Sequence, residues 1–256
     1  MTRPIAVVQA RMGSCRLPGK VLADLAGAPL LARMLERVRA AITLGATVVA
    51  VPDTPANAPV RRLAADLGIE CIAGSEDDVL ARFMAVVRRT EAEVIVRLTA
   101  DCPLIDPELI DGCVARFLAT PGCDYLAFAA DAYPDGLDTE VISATALRMA
   151  AAEARLASER EHVTPFIWKQ PQRFRVLRIP FPGAPGPQRW TVDEERDLAF
   201  VRAVYARLYV PGHLFGWREV VALLEREPAL ACLNQGIERN AGYRRSLERE
   251  AREEGA

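Results

Sequence analysis

Residues 5–20, Ile5-Ala6-Val7-Val8-Gln9-Ala10-Arg11-Met12-Gly13-Ser14-Cys15-Arg16-Leu17-Pro18-Gly19-Lys20, are the stretch from which the rest of the chain can be read. The apolar run 5–8 after Pro4 has the signature of a short buried strand. It leads directly into a loop with Gly13 and Gly19, small Ser14 and Cys15, and basic Arg11, Arg16 and Lys20. Glycines permit close backbone approach, and the N–H groups of such a turn can cradle phosphate oxygens. The basic side chains then neutralise a polyphosphate. In open α/β sheets ligands sit at the carboxyl ends of strands, which is where this loop falls. The spacing is neither Gly-x-Gly-x-x-Gly nor the Walker pattern, which argues against a dehydrogenase and a P-loop ATPase. The plainer alternative is a polar turn with surface arginines. Composition favours the phosphate reading: of 32 basic residues only Lys20 and Lys169 are lysines. In a chain that otherwise writes arginine, Lys20 points to a need for a compact point charge.

Outward from this loop, apolar residues at Leu31, Met34, Leu35, Val38 and Ile42 predict a helix from Pro29. Strands are expected at 47–51, 70–72 and 94–98, and helices at 59–67, 77–90 and 107–118. Strict alternation of this kind implies a largely parallel sheet covered on both faces. It loosens after about Gly122. Strands are expected at 124–128, 139–142 and 174–179, with a turn-rich stretch at 130–136 and a helix at 144–157. The proline-rich run 180–187 must be a loop. Helices follow at 194–208 and 217–226, and the tail of alternating Glu and Arg reads as a solvated helix or a frayed end. The simplest organisation is one domain over residues 1–256, with an inserted or protruding segment at about 122–187 and a charged helical tail at about 238–256.

Composition narrows the function. A net charge of -2 gives no bulk attraction to nucleic acid or to an anionic membrane. No apolar run is long enough for membrane insertion, and no signal-peptide core precedes the first strand, so a cytoplasmic protein is expected. Six cysteines without a Cys-x-x-Cys pair fit free thiols in a reducing compartment. With only two histidines, any metal must be held by oxygen, which favours magnesium or manganese.

Two further segments carry candidate chemistry. In Arg97-Leu98-Thr99-Ala100-Asp101-Cys102-Pro103, Asp101 falls just past a buried strand, placed either to hold a divalent ion or to cap a turn. In Arg189-Trp190-Thr191-Val192-Asp193-Glu194, Asp193 precedes a helix, as a simple N-cap or as the second half of a two-carboxylate metal site. Weaker candidates lie at 135–140 and 159–164, where His162 reads most simply as a structural histidine. Cys15 is read as packing rather than as a reactive thiol.

Taken together, these segments resemble the cytidylyltransferase family of the CMP-KDO and CMP-acylneuraminate synthetases. The resemblance is carried by residues 8–22, by Gly74-Ser75-Glu76-Asp77-Asp78-Val79-Leu80-Ala81-Arg82-Phe83, and by 99–107, 133–140, 160–164 and 191–198, in the family's order. It spans roughly residues 5–208 and implies an α/β, glycosyltransferase-A-like (Rossmann-like) three-layer sandwich. The sheet would be mainly parallel but mixed, with the protruding segment building a homodimer. The implied activity is transfer of CMP from CTP to a sugar acceptor, an acidic or amino sugar of surface polysaccharide biosynthesis, with release of pyrophosphate.

By the same resemblance Arg11 and Lys20 are catalytic and bind the CTP phosphates. Gln9 and Ala10 lie near the base, Gly13, Ser14 and Arg16 complete the loop, and Ser75, Arg82 and Thr99 are further nucleotide contacts. Asp101 and Asp193 match the ligands of magnesium (or manganese). Asp138, Glu140, Glu161 and His162 face the acceptor or the dimer partner. The chain departs from the family's pattern at Cys15, where Thr is frequent, and at Leu126-Ala127-Phe128-Ala129, where a Ser-Asn pair is frequent. The second departure implies a more apolar acceptor pocket. A sugar 1-phosphate or phosphorylated alcohol as acceptor also fits these residues. A glycosyltransferase using a ready-made nucleotide sugar would want Asp-x-Asp, and Asp101 is followed by Cys102-Pro103.

Overall fold

The computed structural model describes residues 3–129, 133–183 and 185–254. The first strand, β1 (Ile5–Gln9), is followed by a small hairpin, β2 (Asp24–Leu25) and β3 (Ala28–Pro29), and by α1 (Leu30–Arg39). The alternation continues through β4 (Ala46–Pro52), α2 (Ala58–Asp66), β5 (Glu70–Gly74), α3 (Val79–Thr90), β6 (Val94–Thr99) and α4 (Pro107–Leu118). It then loosens into β7 (Tyr125–Phe128), β8 (Glu140–Ser143), α5 (Ala144–Glu153), α6 (Ala157–His162), α7 (Pro165–Trp168) and β9 (Val176–Ile179). Three longer helices close the chain: α8 (Glu195–Leu208), α9 (Trp217–Arg226) and α10 (Ala241–Glu254).

Seven strands form one sheet in the order β5-β4-β1-β6-β8-β7-β9. β5, β4, β1 and β6 are parallel neighbours, β9 runs parallel to β7, and β8 lies antiparallel to both β6 and β7. The sheet is therefore mainly parallel and mixed, as expected. Alternation along each strand divides its side chains between two cores. On one face Ala6, Val8, Val49, Val51, Val96 and Leu98 pack with residues of α1, α2, α4, α8 and α9. On the other, Val7, Val48, Ala50 and Ile95 pack with α3, α5 and α7. Full burial of each valine, leucine or isoleucine among them stabilises the fold by about 1.5–3 kcal/mol. The three-layer sandwich thus follows from strands that are apolar on both faces. The segment at about 122–187 supplies β7, β8 and β9 to this sheet and α5 to α7 to its flank.

Several elements differ from the sequence expectation. Ile42 is 79% exposed and lies beyond α1, because Asp111 draws the chain outward by accepting from Ile42 N (3.1 Å) and Thr43 N (2.9 Å). The single helix expected at 144–157 breaks after Glu153. There Arg160 donates to the Ala154 carbonyl (3.1 Å) and to Asp78, the N-cap of α3, so α6 turns back onto α3. The tail is neither frayed nor simply solvated, since α10 packs on α6. A 3-10 turn at Pro228–Asn234 was not foreseen. Residues 130–132 of the turn-rich stretch, residue 184 of the proline-rich loop and residues 255–256 of the tail lie outside the described residues.

One close backbone approach controls the carboxyl edge of the sheet. Residues 188–192 run beside Asp135, with Trp190 N donating to Asp135 O (2.7 Å), and then beside the end of β6, with Val192 N donating to Asp101 O (2.8 Å). Gly136 sits against this run at φ 107°, where a Cβ would lie 2.7 Å from Trp190 C and 2.8 Å from Thr191 N. Both the dihedral and the contact exclude a larger residue. We expect Gly136→Ala to lower the melting temperature by roughly 2–12 °C. Gly112→Ala, in α4 with nothing within 4 Å of the added atom, should leave it unchanged or slightly raised. Equal melting temperatures for Gly136→Ala and wild type would show that the contact carries no strain.

Candidate active site

The backbone of the loop after β1 is held by its own hydrogen bonds and by the Asn57 side chain. Met12 N donates to Asn57 Oδ1 (2.9 Å), and both Ser14 N (2.9 Å) and Gly19 N (3.1 Å) donate to Met12 O. Gly19 adopts φ 72°, a left-handed conformation that glycine takes without steric cost. This turn aims Lys20 inward, where it is 8% exposed.

Lys20 Nζ lies 2.8 Å from Asp101 Oδ2, 2.8 Å from Asp193 Oδ1 and 2.6 Å from Val192 O. Three oxygens thus match the three donors of the ammonium. Burial alone would lower the Lys20 pKa, yet the two carboxylates outweigh it and the net shift is upward. Burial likewise pushes Asp193 up, but Lys20, Arg16 and Arg189 outweigh it and hold its pKa at about 2. Asp101 is also held below its ordinary value, against burial, chiefly by Lys20. All three groups are therefore charged at neutral pH. Arg16 pairs with Asp193 (2.9 Å) and Glu194 (3.1 Å). Arg189 grips Asp193 (2.8 Å), Asp197 (2.9 Å) and Asp135 (3.1 Å), so one buried guanidinium sets the position of three carboxylates.

The oxygens of Asp101, Asp193 and Val192 that converge on Nζ form a donor set of the type that hard divalent cations prefer. No cluster of three or more His, Cys, Asp or Glu side chains is poised for a metal among the described residues. Magnesium suits such a site, because it commonly takes one or two carboxylates and completes its shell with phosphate oxygens and water.

Two cavities meet at this ion cluster. A smaller one of about 200 Å³ is lined by Gln9, Ala10, Arg11, Ser14, Cys15, Arg16 and Lys20 of the loop, by Val79 and Arg82 of α3, and by Glu161 and Arg245. A larger one of about 520 Å³ is lined by Arg97, Tyr125, Tyr133, Asp135, Asp138, Glu140, Trp168, Arg178 and Arg239 among others. Gln9, Arg16, Thr99, Asp101, His162, Asp193 and Gly242 line both. Arg82, only 2% exposed, donates to the carbonyls of Ser75 and Glu76 while its Nε has no partner. Gly13 and Ser75 line neither cavity; Ser75 instead accepts from Asp78 N (3.2 Å) and shapes the start of α3.

The four residues expected toward an acceptor separate. Asp138 and Glu140 lie on the larger cavity, Glu161 on the smaller, and His162 on both. Glu140 accepts from Arg97, Tyr125 and Thr164, and Asp138 from Tyr133 (2.7 Å) and Arg239 (2.9 Å), so both carboxylates are walls with fixed partners. Burial first, and the charge of Glu161 against it, leave the His162 pKa at about 4, so the ring is neutral at pH 7. Burial and the neighbouring Asp138 raise Asp135 to about 7 despite Arg239 and Arg189. Of the run Leu126-Ala127-Phe128-Ala129, Ala127 and Phe128 line the larger cavity, whereas Leu126 is buried in the core. Sequence reading missed Arg189, Arg239, Arg178, Asn57 and the residues of α10. Arg189 stands in the same motif as Asp193, but its three partners span separate segments and leave no spacing signal.

Residues 5–201 match a family described as cytidylyltransferase. The chain is 33% identical to the spore coat polysaccharide biosynthesis protein SpsF of Bacillus subtilis, over 88% of this chain and 95% of that protein. A cytidylyltransferase from Leptospira borgpetersenii superposes with a TM-score of 0.87 at 26% identity, covering 93% of this chain and all (100%) of that one. A CMP:2-keto-3-deoxy-manno-octonic acid synthetase complexed with CTP shares the fold, with a TM-score of 0.66 at 18% identity over 81% of this chain and 100% of that one. With the matched stretch running from β1 into α8 and containing both the loop and the carboxylate pair, the chain belongs to the cytidylyltransferase family and is a nucleotidyltransferase of the CMP-sugar synthetase type.

Proposed function

We propose that the chain transfers CMP from CTP to an acidic or amino sugar used in surface polysaccharide biosynthesis, releasing pyrophosphate. The observation that carries this reading is that two cavities adjoin at one carboxylate pair, Asp101 and Asp193. CTP would occupy the smaller cavity, its phosphates toward Arg11, Arg16 and Lys20 and its base or ribose toward Gln9, Ala10 and the free Arg82 Nε. The sugar would occupy the larger one. Arg178, which has no ion-pair partner among the described residues, suits an anionic group of the acceptor. A carboxylate and a phosphate would both satisfy it, so a phosphorylated acceptor is the second reading.

In this arrangement a sugar oxygen attacks the α-phosphorus, and the bond from that phosphorus to the departing pyrophosphate breaks in line. Arg11 and Lys20 stabilise charge growing on the β- and γ-phosphates. A magnesium ion bound by Asp101 and Asp193 would supply Lewis-acid charge at the α-phosphate. Arg189 and Arg16 keep Asp193 oriented and ionised. Cytoplasmic location and a homodimer complete the proposal; no described helix is long and apolar enough to cross a membrane.

Three outcomes are expected. CTP with magnesium should raise the melting temperature more than other nucleotides do, since a ligand of the folded state alone stabilises it; stabilisation by UDP-sugars instead would favour a glycosyltransferase. Lys20→Ala and Asp101→Asn should each lower pyrophosphate release by about a hundredfold or more while the fold persists. Undiminished turnover in both would overturn the mechanism. Lys20→Met should bind manganese more tightly than wild type when no nucleotide is present, because the ammonium competes for the same oxygens. Calorimetry showing equal or weaker manganese binding would contradict that competition.

A further inference from the structure

The tail helix α10 lies across the line where the two cavities meet. Its anchoring row is Ser246 and Glu250, four residues apart and so on one face, with Gly242 one turn earlier on the same face. Ser246 Oγ donates to Glu161 Oε2 (2.9 Å) and lies 3.0 Å from His162 Nε2. Glu250 accepts from the backbone N–H and the hydroxyl of Ser158. Ahead of the helix, Arg239 pairs with Asp138 (2.9 Å) and stacks on the Tyr133 ring, 4.5 Å from its centroid. These contacts fix the helix on α6 and set which of its side chains meet each cavity.

Tyr243 and Arg245 flank the anchoring row on opposite sides. Tyr243 lines the larger cavity, and its hydroxyl is buried without a hydrogen-bond partner. Arg245 lines the smaller cavity together with Arg11, Arg16 and Lys20, and it has no ion pair among the described residues. Its neighbours on the same helix are engaged: Arg244 pairs with Glu238, and Arg249 lies 4.0 Å from Glu161. Arg245 is exposed to solvent, so its unpaired guanidinium is hydrated and available to an anion bound between α10 and the loop. A polyphosphate is such an anion.

We propose that α10 is a substrate-binding wall of the active site, with Arg245 contacting the phosphates of the bound nucleotide and the Tyr243 hydroxyl contacting a polar group of the acceptor. The inference rests on the CTP reading above and extends it to a helix outside the β1 loop and the carboxylate motifs. A nucleotide bound in the smaller cavity is then enclosed from two sides, by the β1 loop and by a segment more than two hundred residues later in the chain. Anchoring through Glu161 and His162 makes these two positioning residues for the helix.

Calorimetric titration with CTP and magnesium tests this. Wild type, Arg245→Gln, Arg245→Lys and Arg244→Gln should be compared at two salt concentrations. Loss of one charge-assisted contact should weaken CTP binding roughly tenfold or more in Arg245→Gln. Arg245→Lys should recover part of that loss, and Arg244→Gln should match wild type. The salt dependence should be shallower in Arg245→Gln than in wild type. Tyr243→Phe should bind CTP as wild type does, because Tyr243 lines the larger cavity and not the smaller one. Wild-type affinity in Arg245→Gln, with CTP binding otherwise intact, would overturn the role of α10 alone. Absence of CTP binding in wild type would instead overturn the CTP reading, and this inference with it.

Discussion

Burying an ammonium costs several kcal/mol unless charge and hydrogen bonds replace the lost water. For Lys20 that replacement comes from three oxygens, those of Asp101, Val192 and Asp193. They belong to two separate segments, one at the end of β6 and one before α8, while Lys20 itself ends the loop after β1. A single compact charge therefore ties together three separate segments of the chain at one point. Arginine in this position would bring a planar fork too broad for three converging oxygens. The near-absence of lysine elsewhere in the chain agrees with that geometric demand.

The same contact explains why the site is poised. Two carboxylates side by side repel, and without a cation one of them would take up a proton. With Lys20 and Arg189 present both stay ionised, and Asp193 is held at about pKa 2. In our reading the site keeps a lysine where a divalent ion would later share the same oxygens. Its ammonium then becomes available to the phosphates. The architecture around it supplies direction: the β1 loop on one side, β6, β7 and β8 with their Arg97–Glu140–Tyr125 contacts on the other, and α10 beside both cavities.

Much of this was legible in the sequence, for reasons that differ between elements. β1, β4 and β6 bury apolar residues toward both faces, so their runs are recognisable without knowing what packs on them, and the edge strand β5 is marked by its short run before Gly74. The loop announced itself through glycine and basic residues, Asp101 through its place just past a strand and Asp193 through its place before a helix. What sequence periodicity could not show is set by distant partners. Asp111 turns Ile42 outward, and Arg160 breaks the helix after Glu153 by pairing with Asp78. The charged tail read as solvated because its anchors, Ser246, Glu250 and the Tyr243 ring, find their partners on α6 and α7, far away in sequence. Arg189 looked like one more basic residue until three carboxylates were found around it.

The central claim is that Lys20 holds the carboxylate pair until nucleotide and metal arrive. Because Lys20 and Lys169 are the only lysines, protein labelled with ¹⁵N-lysine gives side-chain signals that a single Lys169→Arg variant assigns. The account predicts that CTP with magnesium shifts the Lys20 signal markedly and leaves Lys169 in place. A Lys20 signal unmoved at saturating CTP and magnesium would contradict it.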